Sequence, residues 1–296
     1  MTEPKRLGGV LVVLVTPLCE DETVDEDALR KLVRRVLTAG VHGVVALGSA
    51  SEFAVLTDEQ KGRVIATVVD EVDGRVPVVV GTGEPGTKRA VAMTQEAKRL
   101  GADAALVVPP YYYNPTREAI LRYYRSVSSE GGLPILLYNI PFFTKVALEL
   151  DVVRELAEEP GIVGIKDSSG NLRHFQRLTS IRSDTFSVVT GSDSLLFAQT
   201  VAGGDGCISP GANLVPDWFV RLWEAMGNDR WPEAWELQKR IQSLHQGIGL
   251  GTFPAGIKGA LSLLGIGKRI VGAPNAPVTD EQLATIQAAL EESGLL

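Results

Sequence analysis

The chain has 296 residues, of which 45% are apolar and 22% charged, and carries a formal charge of -7. That length suits one large α/β barrel or two ordinary domains, and the composition excludes a disordered chain. The acidic balance provides no basic face for nucleic acid or an anionic membrane, so the expected partner is a small molecule.

Met1–Arg6 lead into Gly8–Val15, an apolar stretch too short to span a bilayer and followed by no small-residue cleavage site. It reads as the first buried strand of a cytoplasmic protein. Short β-branched runs recur at Gly43–Leu47, Val76–Val80, Ala104–Val108, Pro134–Tyr138, Ile162–Lys166, Phe186–Thr190 and Asp205–Ser209, which with Val10–Val15 makes eight. Mostly apolar rather than alternating, they resemble strands buried on both faces. Helical periodicity fills the intervals, with Thr57 and Gln60 forming a capping box and Thr116 and Thr279 reading as further N-caps. Repeated βα units in this number predict a (β/α)8 TIM barrel over residues 1–225. A doubly wound sheet is the alternative, although it normally has fewer strands and a point where strand order reverses. Beyond Pro216 the pattern is helical only, at 218–226, 231–244, 254–264 and 280–293, which predicts a C-terminal helical extension over 226–296. The Gly-rich Gly247–Gly251 is expected to be a loop between two of these helices.

Other constellations point away from chemistry. Gly81-Thr82-Gly83-Glu84-Pro85-Gly86 satisfies G-x-G-x-x-G. It follows the third strand, however, carries a proline inside the turn, and no acidic residue ends the next strand, so a glycine-rich βα turn is expected rather than a dinucleotide site. His42, His174 and His245 are isolated and Cys19 and Cys207 lie far apart, so no metal, redox pair or cofactor is implied. No G-x-S-x-G elbow marks a serine hydrolase.

What remains is a lysine. Gly161-Ile162-Val163-Gly164-Ile165 is an apolar run closed by Lys166, and burying an ammonium is costly unless it is neutralised, paired or used. An amine in an apolar site is more readily deprotonated and can then condense with a ketone to form a Schiff base. The competing reading is a lysine that reaches solvent where its strand ends. In a barrel, active-site groups come from the C-terminal ends of strands. There the sequence places Gly48-Ser49-Ala50-Ser51-Glu52, Tyr111-Tyr112-Tyr113, Tyr138-Asn139-Ile140-Pro141, Lys166-Asp167-Ser168, Gly191-Ser192-Asp193 and Cys207-Ile208-Ser209.

In this order and spacing the chain resembles the family of pyruvate-dependent Schiff-base aldolases that includes dihydrodipicolinate synthase and N-acetylneuraminate lyase. The markers are Gly48 to Glu52, Tyr138-Asn139-Ile140-Pro141, Gly164-Ile165-Lys166-Asp167 and Gly206-Cys207-Ile208-Ser209, and the resemblance runs from Gly8 through the C-terminal helices. It implies that Lys166 is the Schiff-base lysine and Tyr138 the phenol that shuttles protons. It also implies that Ser49 links that phenol to Tyr112 from a neighbouring subunit, so that the protein is a homo-oligomer, a dimer or a tetramer. The competing reading of Tyr112, compatible with the first, is an aromatic packed at a dimer interface. Gly48, Ser49 and the Ala50 N–H would bind the pyruvate carboxylate, and the Ile208 backbone would lie near its carbonyl carbon.

Three departures bear on the second substrate. Dihydrodipicolinate synthases carry an arginine two residues after the proline of Tyr-Asn-x-Pro, where it grips the carboxylate of that substrate; here the position is Phe143, which argues against synthase activity. Lys145 replaces the glycine that usually follows Thr144 and is a candidate cation for an anionic substrate, against the reading of a solvated surface lysine. Ala50 and Ser51 stand where the family commonly has a hydroxyl or amide and then a glycine; if that glycine has positive φ, Ser51 implies a strained or altered loop. Gly48-Ser49, Lys166-Asp167-Ser168 and Gly191-Ser192 look closer to members that cleave 4-hydroxy-2-oxoglutarate or 2-keto-3-deoxy sugar acids, with Ser168, Ser192 and Asp193 hydrogen-bonding the substrate hydroxyls. The expected function is a class I aldolase or lyase. Dihydrodipicolinate synthase, a Schiff-base 2-keto acid dehydratase or deaminase, and a catalytically silent sugar-acid-binding module are the alternatives.

Overall fold

Eight parallel strands close into a barrel in sequence order in the computed structural model, which describes residues 7–296. They are β1 (Gly9–Val13), β2 (Gly43–Ala46), β3 (Val78–Gly81), β4 (Ala104–Val107), β5 (Ile135–Asn139), β6 (Ile162–Asp167), β7 (Ser187–Thr190) and β8 (Gly206–Ser209). The expected TIM barrel is therefore present, and the doubly wound alternative, an open sheet, is not. Every strand residue except Gly81 is buried, which is why the runs are mostly apolar rather than alternating. The lead-in at residues 1–6 lies outside the described residues.

The helices are α1 (Glu26–Thr38), α2 (Asp58–Val72), α3 (Thr87–Arg99), α4 (Arg117–Gly131), α5 (Pro141–Thr144), α6 (Leu150–Leu156), α7 (Leu172–Thr179), α8 (Leu196–Val201), α9 (Pro216–Gly227), α10 (Trp231–Ile248), α11 (Ala255–Leu263) and α12 (Asp280–Glu292). Thr57 and Thr279 form reciprocal capping boxes with Gln60 and Gln282, and Thr116 caps α4 by accepting from the Ala119 N–H. Asp25 and Asn171 cap α1 and α7 in the same way.

The described residues pack as two compact units, 7–9 with 79–208 and 10–78 with 209–296. In the first, consecutive helices pack in the order α3, α4, α6, α7 and α8. Arg117 and Arg125 on α4 tie to Asp151, Glu155 and Glu159 by ion pairs of 2.6 to 2.9 Å. The G-x-G-x-x-G segment is explained here by packing. A Cβ at Gly83 would stand 2.6 Å from the Val108 backbone nitrogen, so the turn needs glycine to pass the neighbouring strand exit.

In the second unit α1 packs on α2, α9 on α10, and α12 on both α10 and α11. One expectation fails there. α10 runs through Gly247 to Ile248, so the Gly-rich loop begins only at Gly249. The reason is contact: a Cβ at Gly247 would overlap the Cβ of Ala289 on α12, and the glycine lets the two helices close on each other.

Candidate active site at the ends of β5 and β6

β6 carries one residue more than its partner. Ile135 pairs with Ile162 but Leu136 with Gly164, after which Leu137 pairs with Ile165, Tyr138 with Lys166 and Asn139 with Asp167. An unbroken ladder would set Tyr138 beside Ile165, so this bulge is what brings the amine and the phenol into register. Side chains alternate across a strand, so Tyr138 and Lys166 share one face and Asn139 and Asp167 the other. Asn139 lines a cavity of about 330 Å³ with Glu149, Ser169, Arg173, His174 and Arg177 on the helix side. Tyr138 and Lys166 therefore face the barrel interior.

Lys166 is 2% exposed and Tyr138 4%. The Lys166 Nζ lies 4.1 Å from the centroid of the Tyr138 ring, a contact in which the ring face attracts the ammonium. The lysine thus does not reach solvent where its strand ends. Beside it, Gly191 at the exit of β7 has no side chain to compete for space, since a Cβ there would stand 2.7 Å from the Lys166 Cε and overlap the Ser168 Oγ. The Ser168 Oγ is buried and has no hydrogen-bond partner among the described residues, leaving it open to a ligand hydroxyl or carbonyl.

On the opposite face Asp167 is fully buried. It accepts from Asn139 Nδ2 at 2.7 Å and from Ser169 Oγ at 2.8 Å. Asn139 in turn accepts from the Leu148 N–H at 3.0 Å. Burial pushes the Asp167 carboxyl above the usual carboxylate range, opposed by these hydrogen bonds and by nearby His174.

The second unit contains the loop after β2. Ser49–Ser51 form a 3-10 turn, and the left-handed residues are Leu47 at φ 55° and Glu52 at φ 61°, not Ser51. The strain conditionally expected at Ser51 is therefore not there. Its hydroxyl accepts from the Gly48 N–H at 3.1 Å and donates to the Leu14 carbonyl at 2.5 Å, two bonds that glycine cannot make. With the Gly48 N–H engaged, the turn's remaining donors are those of Ser49 and Ala50, which have no acceptor among the described hydrogen bonds. Glu52 anchors the loop from below. Its side chain and that of Lys258 on α11 are each 1% exposed and pair at 2.5 Å, while the second carboxylate oxygen accepts from the Gly272 N–H at 2.8 Å. Burial pulls the Lys258 ammonium below the usual lysine range, opposed by Glu52 and Glu22.

The other predicted residues are dispersed around these centres. Tyr112 is 87% exposed with φ 81°, and its ring meets Tyr113 edge to face at 5.1 Å. Phe143 is 49% exposed and stacks edge to face on Phe142. Lys145 is engaged locally, its ammonium donating to the Phe142 carbonyl at 2.8 Å and lying over the Phe142 ring. Ser192 Oγ is 3.3 Å from Ser194 Oγ, and Asp193 is buried in a 3-10 turn. Ile208 is buried in β8. Sequence reasoning missed Asn139, Asp167 and Lys258. The first two stand next to Tyr138 and Lys166 on strands called for other reasons, which was the available signal; Lys258, within a helix, gave none.

Comparison with known proteins identifies the family. The model of the dihydrodipicolinate synthetase family matches residues 6–293. The 4-hydroxy-tetrahydrodipicolinate synthase of Phenylobacterium zucineum is 39% identical over 290 residues, covering 97% of this chain and 98% of the relative. That of Methanopyrus kandleri is 36% identical over 293 residues, covering 98% of each. Among solved structures, the chloride-inhibited dihydrodipicolinate synthase of Acinetobacter baumannii complexed with pyruvate superposes with a TM-score of 0.94 at 32% identity, covering 98% of this chain and 99% of that one. A prophage protein of E. coli K12 in complex with pyruvate, from the same family, gives 0.94 at 30% identity with the same coverage. With barrel, strand-end lysine and whole-length similarity in agreement, the chain belongs to the dihydrodipicolinate synthetase family of pyruvate-dependent, class I Schiff-base aldolases and lyases.

Proposed function

We propose that Lys166 forms the Schiff base with pyruvate and that Tyr138 moves the protons. The observation that carries this is the buried Lys166 Nζ held 4.1 Å from the Tyr138 ring in the barrel interior. The amine adds to the pyruvate C2 carbonyl, and loss of water gives an iminium. The iminium withdraws electrons, a methyl proton passes to the Tyr138 oxygen, whose own proton has left with that water, and the C–H electron pair becomes the enamine double bond. The enamine carbon then adds to an aldehyde carbonyl, a proton reaches the new alkoxide, and water releases the 2-keto acid from Lys166. Cleavage runs the same steps backwards. Gly48, Ser49 and Ala50 are assigned to the pyruvate carboxylate, for which the unengaged Ser49 and Ala50 N–H groups are suited, and the Ile208 backbone to the neighbourhood of the carbonyl carbon. Ser49 and Tyr112 are assigned to proton transfer.

The second substrate is a hydroxylated or sugar-derived aldehyde, giving 2-keto acids of the 4-hydroxy-2-oxoglutarate or 2-keto-3-deoxy sugar acid type. Phe143 supports this, because it has no cationic fork for a further carboxylate, and Ser168 supports it with a buried hydroxyl that has no protein partner. 4-hydroxy-tetrahydrodipicolinate synthase is the second reading, favoured by the names of the relatives at 34 to 39% identity. All these residues fall within 1–225, proposed as the catalytic barrel, with 226–296 its helical extension. A cytoplasmic homo-oligomer, dimeric or tetrameric, is proposed on the acidic composition and on Tyr112; no helix among the described residues is long and apolar enough to cross a membrane.

Borohydride trapping with pyruvate, followed by peptide mapping, tests the chemistry. The adduct is expected on Lys166, and its absence with a panel of ketoacids would overturn the assignment. Product analysis then separates the readings: aldehyde plus pyruvate for the aldolase, neither for a dehydratase or deaminase. Phe143→Arg should raise turnover to 4-hydroxy-tetrahydrodipicolinate about tenfold or more, the scale of one charge-assisted bidentate contact. Efficient synthesis of that product by the unaltered protein would decide for the second reading.

A further inference from the structure

We infer that Asp167 and Asn139 are positioning residues that hold Lys166 against Tyr138. The inference rests on the assignment of Lys166 and Tyr138 above. The catalytic pair and the Asn139–Asp167 pair are successive rungs of one ladder, set by the same bulge and pointing to opposite sides of the barrel wall. No hydrogen bond between side chains joins Tyr138 to Lys166; what joins them is a ring-face contact, which tolerates sliding. The rung behind is different in kind. Asn139 Nδ2 donates to Asp167 Oδ1 at 2.7 Å, a charge-assisted bond across the two strands. The other carboxylate oxygen is held at 2.8 Å by Ser169 Oγ, and Asn139 Oδ1 is held at 3.0 Å by the Leu148 N–H. Both residues are almost wholly buried, so no solvent competes for these bonds.

The main chain transmits the constraint. The Ser168 N–H donates to the Asn139 carbonyl at 2.8 Å, and the Gly191 N–H to the Asp167 carbonyl at 2.8 Å. Asp167 therefore sits where β5, β6 and the β7 exit are stitched together, one residue from the lysine and directly behind the glycine that clears its path. A carboxyl in a fully buried place costs more than an apolar residue would, so its contribution lies in the bonds it makes. A carboxylate there earns its place by fixing direction: it accepts from donors on β5 and on the loop after β6 at once.

Exchange of the pyruvate methyl protons for deuterium in heavy water reads this geometry without an aldehyde, because it needs only the Schiff base and the proton transfer to Tyr138. Trapping by borohydride reads the Schiff base alone. In Asp167→Ala the Lys166 adduct should still form, while methyl exchange slows about tenfold to a hundredfold, the cost of misplacing a reacting group by about 1 Å. Asp167→Asn keeps an acceptor for Asn139 and turns its own amide towards Ser169, so it should recover exchange to within about threefold of the unaltered protein. Should Asp167→Ala fail to fold, Ser169→Ala removes the hydroxyl's bond to Asp167, together with the one it accepts from the Asn171 N–H, and should slow exchange about threefold with the adduct intact. Unchanged exchange in folded Asp167→Ala, or in Ser169→Ala where that is the variant used, overturns the positioning role. Absence of both adduct and exchange in the unaltered protein would instead overturn the assignment of Lys166 and Tyr138.

Discussion

At Gly191 an added methyl group would stand 2.7 Å from the Lys166 Cε and inside the contact distance of the Ser168 Oγ, with both displaced side chains already buried. Gly191→Ala is therefore expected to lower kcat about a hundredfold and to cost about 1–3 kcal/mol of stability, as overpacking does. Steady-state kinetics and a denaturant titration check it, and near-normal kcat would mean that the lysine has room the structure does not give it. At this scale the sequence was legible where one residue contradicts its surroundings. Lys166 closing an apolar run is such a residue, and so is Phe143 in place of a cation. Asp167 and Asn139 contradict nothing, since polar residues are ordinary where a strand ends; only their mutual hydrogen bond distinguishes them.

At the scale of elements, hydrophobic period and caps sufficed for most of the barrel. Strand ends are set within a residue or two by where apolar runs stop, and Thr57, Thr116 and Thr279 start the helices that their hydroxyls were expected to cap. The β6 bulge was not legible, because a one-residue excess leaves no trace in a run that is apolar on both faces. Nor was the helical Gly247, whose partner Ala289 lies on a helix formed later in the chain. The join between the β2 loop and α11 is a further case, and it carries a prediction. Lys258→Met leaves the Glu52 carboxylate buried without its cation and should destabilise the protein by about 3–5 kcal/mol. Adding Glu52→Gln removes the uncompensated charge, so the double variant should recover most of that loss. Equal destabilisation of single and double variants, measured by urea unfolding, would show that the pair acts through packing rather than charge.

For the whole molecule, closure in strand order follows from counting βα units, since eight of them leave no free sheet edge. Assembly was readable only through resemblance, at Tyr112. A bulky residue at φ 81° that is 87% exposed is an unusual combination, strained and met by the ring of its neighbour Tyr113. If a second copy packs against it, specific activity should fall on dilution in step with loss of the oligomer seen by sedimentation. Tyr112→Phe should then lower kcat about tenfold or more while leaving the assembly intact. Activity independent of dilution through dissociation would exclude a shared site.

The Glu52–Lys258 pair joins residues 206 apart in the chain. A ribosome adding about 5–20 residues per second needs on the order of 10–40 s to make the second after the first. Throughout that interval the nascent β2 loop carries a carboxylate whose buried position has no counter-charge, so the loop cannot settle into its final form until α11 has emerged. The protein therefore has a built-in order of completion: the barrel's first third is made early and finished last. Any chain released short of Lys258 would keep every residue proposed for catalysis and still lack the ion that seats the loop carrying Ser49.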